Sequence, residues 1–234
     1  MCGRFAFYSP REAVARLFAV PAEGPEIEPR YNIAPTQYVA AVRGGEPPAT
    51  RALSMLYWGL VPAWAKERGI GARLINARGE TLKEKPAFRS AYRHRRCLIL
   101  ADGYYEWQRS AQGKQPFFIR LASGEPFAIA ALWERWRDPL ENAELESCTL
   151  ITTAPAAALA HIHDRMPVIV PAAAYAEWLD PRNADVERLD RLMAPPEDRA
   201  VRFHPVSRAV NSARSSGAQL IEPVDPGPTD LFAD

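Results

Sequence analysis

A chain of 234 residues is long enough to bury one sizeable core and short for two, and its 47% hydrophobic and 24% charged residues suit a soluble globular protein. A net charge of +1 excludes a protein that coats nucleic acid through bulk charge. The first twenty residues, with Arg4, Arg11, Glu12 and Arg16, lack the apolar stretch of a secretory signal, and no run approaches the ~20 apolar residues of a membrane span.

In chain order, residues 10–18 carry apolar side chains at helical spacing (Ala13, Val14, Leu17, Phe18), with Ser9 as the expected N-cap and Pro10 at the first helical position. Strands are expected at residues 38–43, 52–58, 97–101, 116–121, 127–132 and 147–152. These runs are rich in β-branched and aromatic residues or bounded by Gly, Pro or Asp. Helical patterns recur at 171–179 and 185–193. The 22 prolines, about twice the usual ~5%, favour loops and strand edges over long helices. The last dozen residues, with Pro223, Pro226, Pro228 and three Asp, read as a tail that cannot bury itself. Strands in the middle with helices around them make an α+β chain of one domain, without the regular alternation of a doubly wound sheet. Cys97 and Cys148 sit in apolar runs and read as buried strand residues. Three cysteines make no disulfide framework, so the expected compartment is the reducing cytoplasm.

Chemistry is concentrated in a few places. Once Met1 is removed, Cys2 carries an α-amine with a pKa near ~8 and a thiol near ~8.5 on adjacent carbons, a pair able to trap an aldehyde. Glu106 follows Asp102-Gly103, read as a turn, and is flanked by Tyr104, Tyr105 and Trp107. Aromatic surroundings of that kind raise a carboxyl pKa by desolvation and suit it to proton transfer. His161 and His163 flank Ile162, and strand alternation would set both on one face, but no third metal ligand lies near in sequence. Asn76 follows the apolar pair Leu74-Ile75. Trp58 and Trp64 surround a Gly/Pro turn, either as core indoles or as a stacking platform for bases. Between Arg68 and Arg96 nine Lys or Arg face two Glu, which is where a local anionic-ligand groove is expected.

Seven segments occur in order: Met1-Cys2-Gly3-Arg4-Phe5, Arg30-Tyr31-Asn32-Ile33-Ala34-Pro35, Trp58-Gly59 to Trp64, Ile75-Asn76-Ala77-Arg78, Ala101-Asp102-Gly103 to Glu106-Trp107, Ile162-His163-Asp164-Arg165-Met166-Pro167 and His204-Pro205-Val206-Ser207-Arg208-Ala209-Val210. In these motifs the chain resembles the SOS-response-associated peptidase (SRAP) family, from residue 2 to about Pro223. The resemblance implies a domain over residues 1–223 with a mainly antiparallel β core and peripheral helices, and a tail over 224–234. It implies a monomer that links Cys2 covalently to abasic sites in single-stranded DNA as a thiazolidine, without cofactor or metal, in the cytoplasm at the nucleoid. By the same resemblance Asn76 orients the Cys2 amine or the sugar, Glu106 shuttles protons, and His163 rather than His161 protonates the sugar oxygen. Thr153 lines the same pocket. Arg4, Arg78 and Arg165 contact phosphates, and Pro35, Trp64 and Phe88 form the apolar surface near unstacked bases. Two other classes compete: a Cys-dependent peptidase or amidohydrolase, including one acting only on its own Met1, and a non-catalytic reader of modified DNA.

Overall fold

The computed structural model describes residues 2–21, 23–44, 51–110, 113–183 and 185–225. In chain order its strands are β1 (Arg4–Phe7), β2 (Arg30–Ile33), β3 (Tyr38–Arg43), β4 (Ala52–Trp58), β5 (Asn76–Arg78), β6 (Arg96–Ala101), β7 (Gly103–Ser110), β8 (Gly113–Leu121), β9 (Phe127–Arg137), β10 (Glu144–Thr153), β11 (Met166–Pro167), β12 (Ile169–Val170) and β13 (Val201–Pro205). Around them lie α1 (Arg11–Phe18), α2 (Arg89–His94), α3 (Tyr175–Leu179) and α4 (Val186–Arg191).

The larger sheet closes on itself. β10, β4, β3, β6 and β9 pair in that order, and β9 pairs back onto β10. Among the described residues only the β10–β4 and β10–β5 pairings are parallel. The smaller sheet, in the order β13-β8-β7-β1-β2, is antiparallel throughout. The α+β class with a mainly antiparallel core and peripheral helices is therefore the observed architecture. No helix among the described residues is long and apolar enough to cross a membrane.

β6 explains why a continuous apolar run suits this barrel. All six of its residues are buried, and the α3 indole of Trp178 lies against it, donating to the Cys97 carbonyl at 3.0 Å. A strand covered on both faces needs no polar alternation. The expected strands at 38–43 and 52–58 match β3 and β4 to the residue, whereas β6, β8, β9 and β10 run longer than their apolar signals.

Asp102 links the two sheets. The sequence reading makes Asp102-Gly103 a turn; here the chain passes through it from β6 in the barrel into β7 of the second sheet. The buried Asp102 carboxylate accepts from the Tyr8 amide at 2.6 Å, the Ser9 amide at 2.8 Å and the Ser9 hydroxyl at 2.5 Å. Ser9 is thereby occupied, and α1 starts after Pro10 with no side-chain cap. A side chain at Gly103 would run into the Phe118 ring, its Cβ 2.2 Å from Cζ, so only glycine lets β7 lie this close to β8. Asp102→Ala strands two part-buried amides and is expected to lower unfolding free energy by about 2 kcal/mol, with Asp102→Asn between it and the parent, as read by urea denaturation.

The basic run from Arg68 to Arg96 is only partly a surface. Arg96 is buried, its guanidinium donating to the carbonyls of Tyr92, Arg93 and Trp178 at 2.7 Å each and to that of Asp180. Arg95 pairs with Glu134 at 2.8 Å and Lys83 with Asp190 at 2.6 Å. Arg73, Arg78, Lys85, Arg89 and Arg93 stay exposed and join no ion pair among the described residues. At the other end, Val224 donates its amide to the Pro205 carbonyl at 3.0 Å, so the expected tail is attached at its start; residues 226–234 lie outside the described residues.

Candidate active site

β1 pairs antiparallel with β7, Arg4 opposite Tyr105 and Phe5 opposite Tyr104. Continued backwards along that register, the chain start runs beside Glu106, which is why residues 2 and 106 meet. Cys2 is fully buried. Its carbonyl accepts from Asn76 Nδ2 at 2.7 Å, and its thiol approaches the Arg4 carbonyl at 3.8 Å. Asn76 is brought there by β5, which lies parallel to β10 with Asn76 opposite Leu150. Its Oδ1 is buried and has no hydrogen-bond partner among the described residues, an acceptor held beside the Cys2 backbone.

Glu106 is only 2% exposed, and burial raises its pKa to about 7. Its Oε2 lies 3.8 Å from His163 Nε2. His163 is held on both sides in sequence: Ile162 is buried, and Met166 pairs with Thr153 on the edge of β10. The Arg165 amide donates to His163 Nδ1 at 3.0 Å, while Asp164 Oδ1 stands 2.8 Å from the same nitrogen. An amide N–H only donates, and Asp164 is largely solvated. In the neutral tautomer that accepts the Arg165 N–H at Nδ1, the proton is on Nε2, facing Glu106. Burial lowers the His163 pKa, which favours that neutral form. The Cys2 thiol is pushed up, first by burial and then by Glu106, so at rest it keeps its proton.

The two histidines part company. Residues 154–165 form turns and a 3-10 helix rather than a strand, so alternation does not apply. His161 is exposed and packs against Phe203, with ring centroids 5.4 Å apart. No group of three or more metal-ligating side chains occurs among the described residues.

The outlying residues separate into several environments. Trp58 is core, its indole donating to the Ile75 carbonyl at 2.9 Å, whereas Trp64 is 61% exposed and Pro35 half-buried. Phe88 is 7% exposed and packs into the main core, so its ring is spent on packing rather than laid open to bases. Arg4 donates to Asn32 Oδ1 at 2.8 Å and to the Val210 carbonyl at 2.7 Å, a clamp between β1 and the segment after β13. Arg165 grips Glu80 with two bonds of 2.6 and 2.9 Å, and Arg78 is exposed. Thr153 lines a neighbouring cavity of about 310 Å³ with Gly79, Glu80, Lys83 and Met193, not the Glu106 pocket.

Sequence reasoning gave no role to Arg109 or Lys114, and to Tyr104 only that of a ring flanking Glu106. The Tyr104 hydroxyl is fully buried without a hydrogen-bond partner among the described residues. Its pKa is raised by burial and then by Cys2 and Glu106, which places it in the same cluster. The signal for it is alternation: on a strand, residues 104 and 106 share a face.

The SOS response associated peptidase (SRAP) family model matches residues 1–213. The chain belongs to the SRAP family. Among SRAP relatives, it is 41% identical over 225 residues to the abasic site processing protein YoqW of Bacillus subtilis (strain 168), covering 95% of this chain and 99% of that one. It is 34% identical over 232 residues to the abasic site processing protein YedK of Escherichia coli (strain K12), covering 96% and 100%. A crystal structure of a protein from Bacteroides thetaiotaomicron shares the fold, with a TM-score of 0.85 at 21% identity over 95% of this chain and 100% of that one.

Proposed function

We propose that this SRAP protein captures abasic sites in single-stranded DNA as a thiazolidine on Cys2, after removal of Met1. The observation that carries the reading is the contact of Cys2 with Asn76 at 2.7 Å, in one cluster with a carboxyl group of pKa about 7 and a neutral histidine 3.8 Å from it. The names of the relatives, abasic site processing proteins, agree with it.

The steps follow from these groups. An abasic sugar is a closed hemiacetal in equilibrium with its aldehyde. His163 Nε2–H donates to the ring oxygen as it opens, and Glu106 takes the proton of the hydroxyl on C1 and returns it to Nε2, so the imidazole ends neutral. The Cys2 amine adds to the aldehyde carbon, one of its protons passing to the carbonyl oxygen and the other by way of Glu106 to the same oxygen, which leaves as water, and an imine results. The thiol then adds to the imine carbon, its proton passing to the nitrogen as the five-membered ring closes. Asn76 Oδ1 orients the amine. A thiol kept protonated suits this order, in which the amine attacks first. A cysteine peptidase needs a thiolate at the outset, so the raised thiol pKa supports aldehyde capture over hydrolysis. A single strand exposes the lesion with no cost of flipping.

The test is incubation of the mature protein with an oligonucleotide bearing one abasic site. A denaturation-resistant adduct whose mass equals the sum of the two less one water supports the proposal; no adduct ends it. In that assay His163→Ala is expected to slow capture by ~10²-fold and to release abasic DNA less readily into excess trap, while His161→Ala tracks the parent. A crippled His161→Ala beside a normal His163→Ala overturns the histidine assignment.

A further inference from the structure

Beside the acid–base pair lies a pocket of about 360 Å³ bounded by Glu106, Trp107, Arg109, Lys114, His163 and Asn211. Arg109 and Lys114 come from the β7–β8 hairpin, where they are direct cross-strand partners. Like charges placed opposite one another on a ladder repel, and a fold gains nothing from the pairing by itself. Both side chains are exposed, and neither joins an ion pair among the described residues. The pocket reaches along the edge of β7 because β1 pairs with that strand only at Gly103–Tyr105. Its far wall is fixed: the Trp107 indole donates to Asn211 Oδ1 at 2.7 Å, which orients the Asn211 amide and leaves its NH2 as a donor. Two cations and an amide donor on the rim of a pocket that contains the reacting carboxyl fit a bound anion.

We propose that Arg109 and Lys114, with Asn211, form a subsite for one backbone phosphodiester flanking the abasic sugar. This rests on the proposed function and extends it from the reacting carbon to the register of the strand. The phosphate offsets the cross-strand repulsion, and the two cations keep its charge from opposing that of Glu106 as the carboxylate forms. Burial lowers the His163 pKa, and Arg109 adds to that lowering, so the subsite is near enough to act on the histidine.

The test uses binding, which is separable from the Cys2 chemistry. A single-stranded oligonucleotide carrying a tetrahydrofuran abasic analogue has no aldehyde, and its Kd is read by fluorescence anisotropy. The double variant Arg109→Ala/Lys114→Ala, which removes a repulsive pair and is expected to fold, should bind about tenfold more weakly. Its log Kd against log salt should be shallower by about 0.7, the slope for one neutralised phosphate on a single strand. Replacing the flanking phosphates one at a time by neutral methylphosphonate should weaken the parent at one position and leave the double variant unchanged there. An unchanged Kd in the double variant, or equal responses of parent and variant at every position, overturns the subsite. Failure to crosslink an aldehyde-bearing strand ends the covalent reading and leaves the binding result standing.

Discussion

Cys2→Ala is expected to yield no heat-stable adduct with abasic single strands, and Cys2→Ser at most a labile imine. The amine survives both substitutions, but only the thiol closes the stable ring. A serine hydroxyl is too weak a nucleophile to replace it in a site where even the thiol is held protonated. A protein whose Met1 stays in place has an amide where the amine should be. It is expected to bind single strands and not to crosslink. Intact-mass analysis on a verified N-terminus checks both, and stable adduct at parental levels from Cys2→Ala would end the Cys2 assignment.

Glu106→Gln keeps the shape of the side chain and removes its titration, and should slow capture by ~10²-fold or more. The parent's rate is expected to rise with pH through about 7 as the carboxylate forms, and the variant should lose that limb. Stability moves the other way. The folded pKa of Glu106 stands above its ordinary 4.5, so its contribution is complete at low pH and declines as pH climbs from about 4.5 through about 7. Above that range a charged, 2% exposed carboxylate costs the fold on the order of 3 kcal/mol. Glu106→Gln should therefore melt higher than the parent at pH 8 and show little difference at pH 4. A variant that is both slow and more stable is what a strained proton shuttle predicts. Full-speed capture by Glu106→Gln defeats the acid–base assignment and leaves Cys2 untouched.

Local sequence fixed those parts of the fold whose signal is local. β3 and β4 were readable because their apolar and β-branched runs end where the strands end. The class followed from the order of such runs. β7 was not readable, because Asp-Gly before Tyr-Tyr-Glu-Trp carries a strong turn signal, and what leads the chain from that turn into the second sheet is long-range: Asp102 satisfies Tyr8 and Ser9, residues 94 and 93 positions away. β11 and β12, at two residues each, are too short to carry any period.

The candidate site divides in the same way. Residue types and ordered motifs nominated Cys2, Asn76, Glu106 and His163, because chemistry restricts which side chains are useful. Only tertiary structure brought positions 2, 76, 106 and 163 together, through the β1–β7 register, the parallel placement of β5 and the anchored turn before β11. It also sorted the arginines, which sequence weighs alike. Arg96 is surrounded by carbonyls, Arg165 by Glu80, and Arg4 by Asn32 and Val210, while Arg109 faces a lysine beside Glu106 and His163. A charge's role is set by what lies within a few ångströms of it, and for these residues those neighbours come from distant parts of the chain.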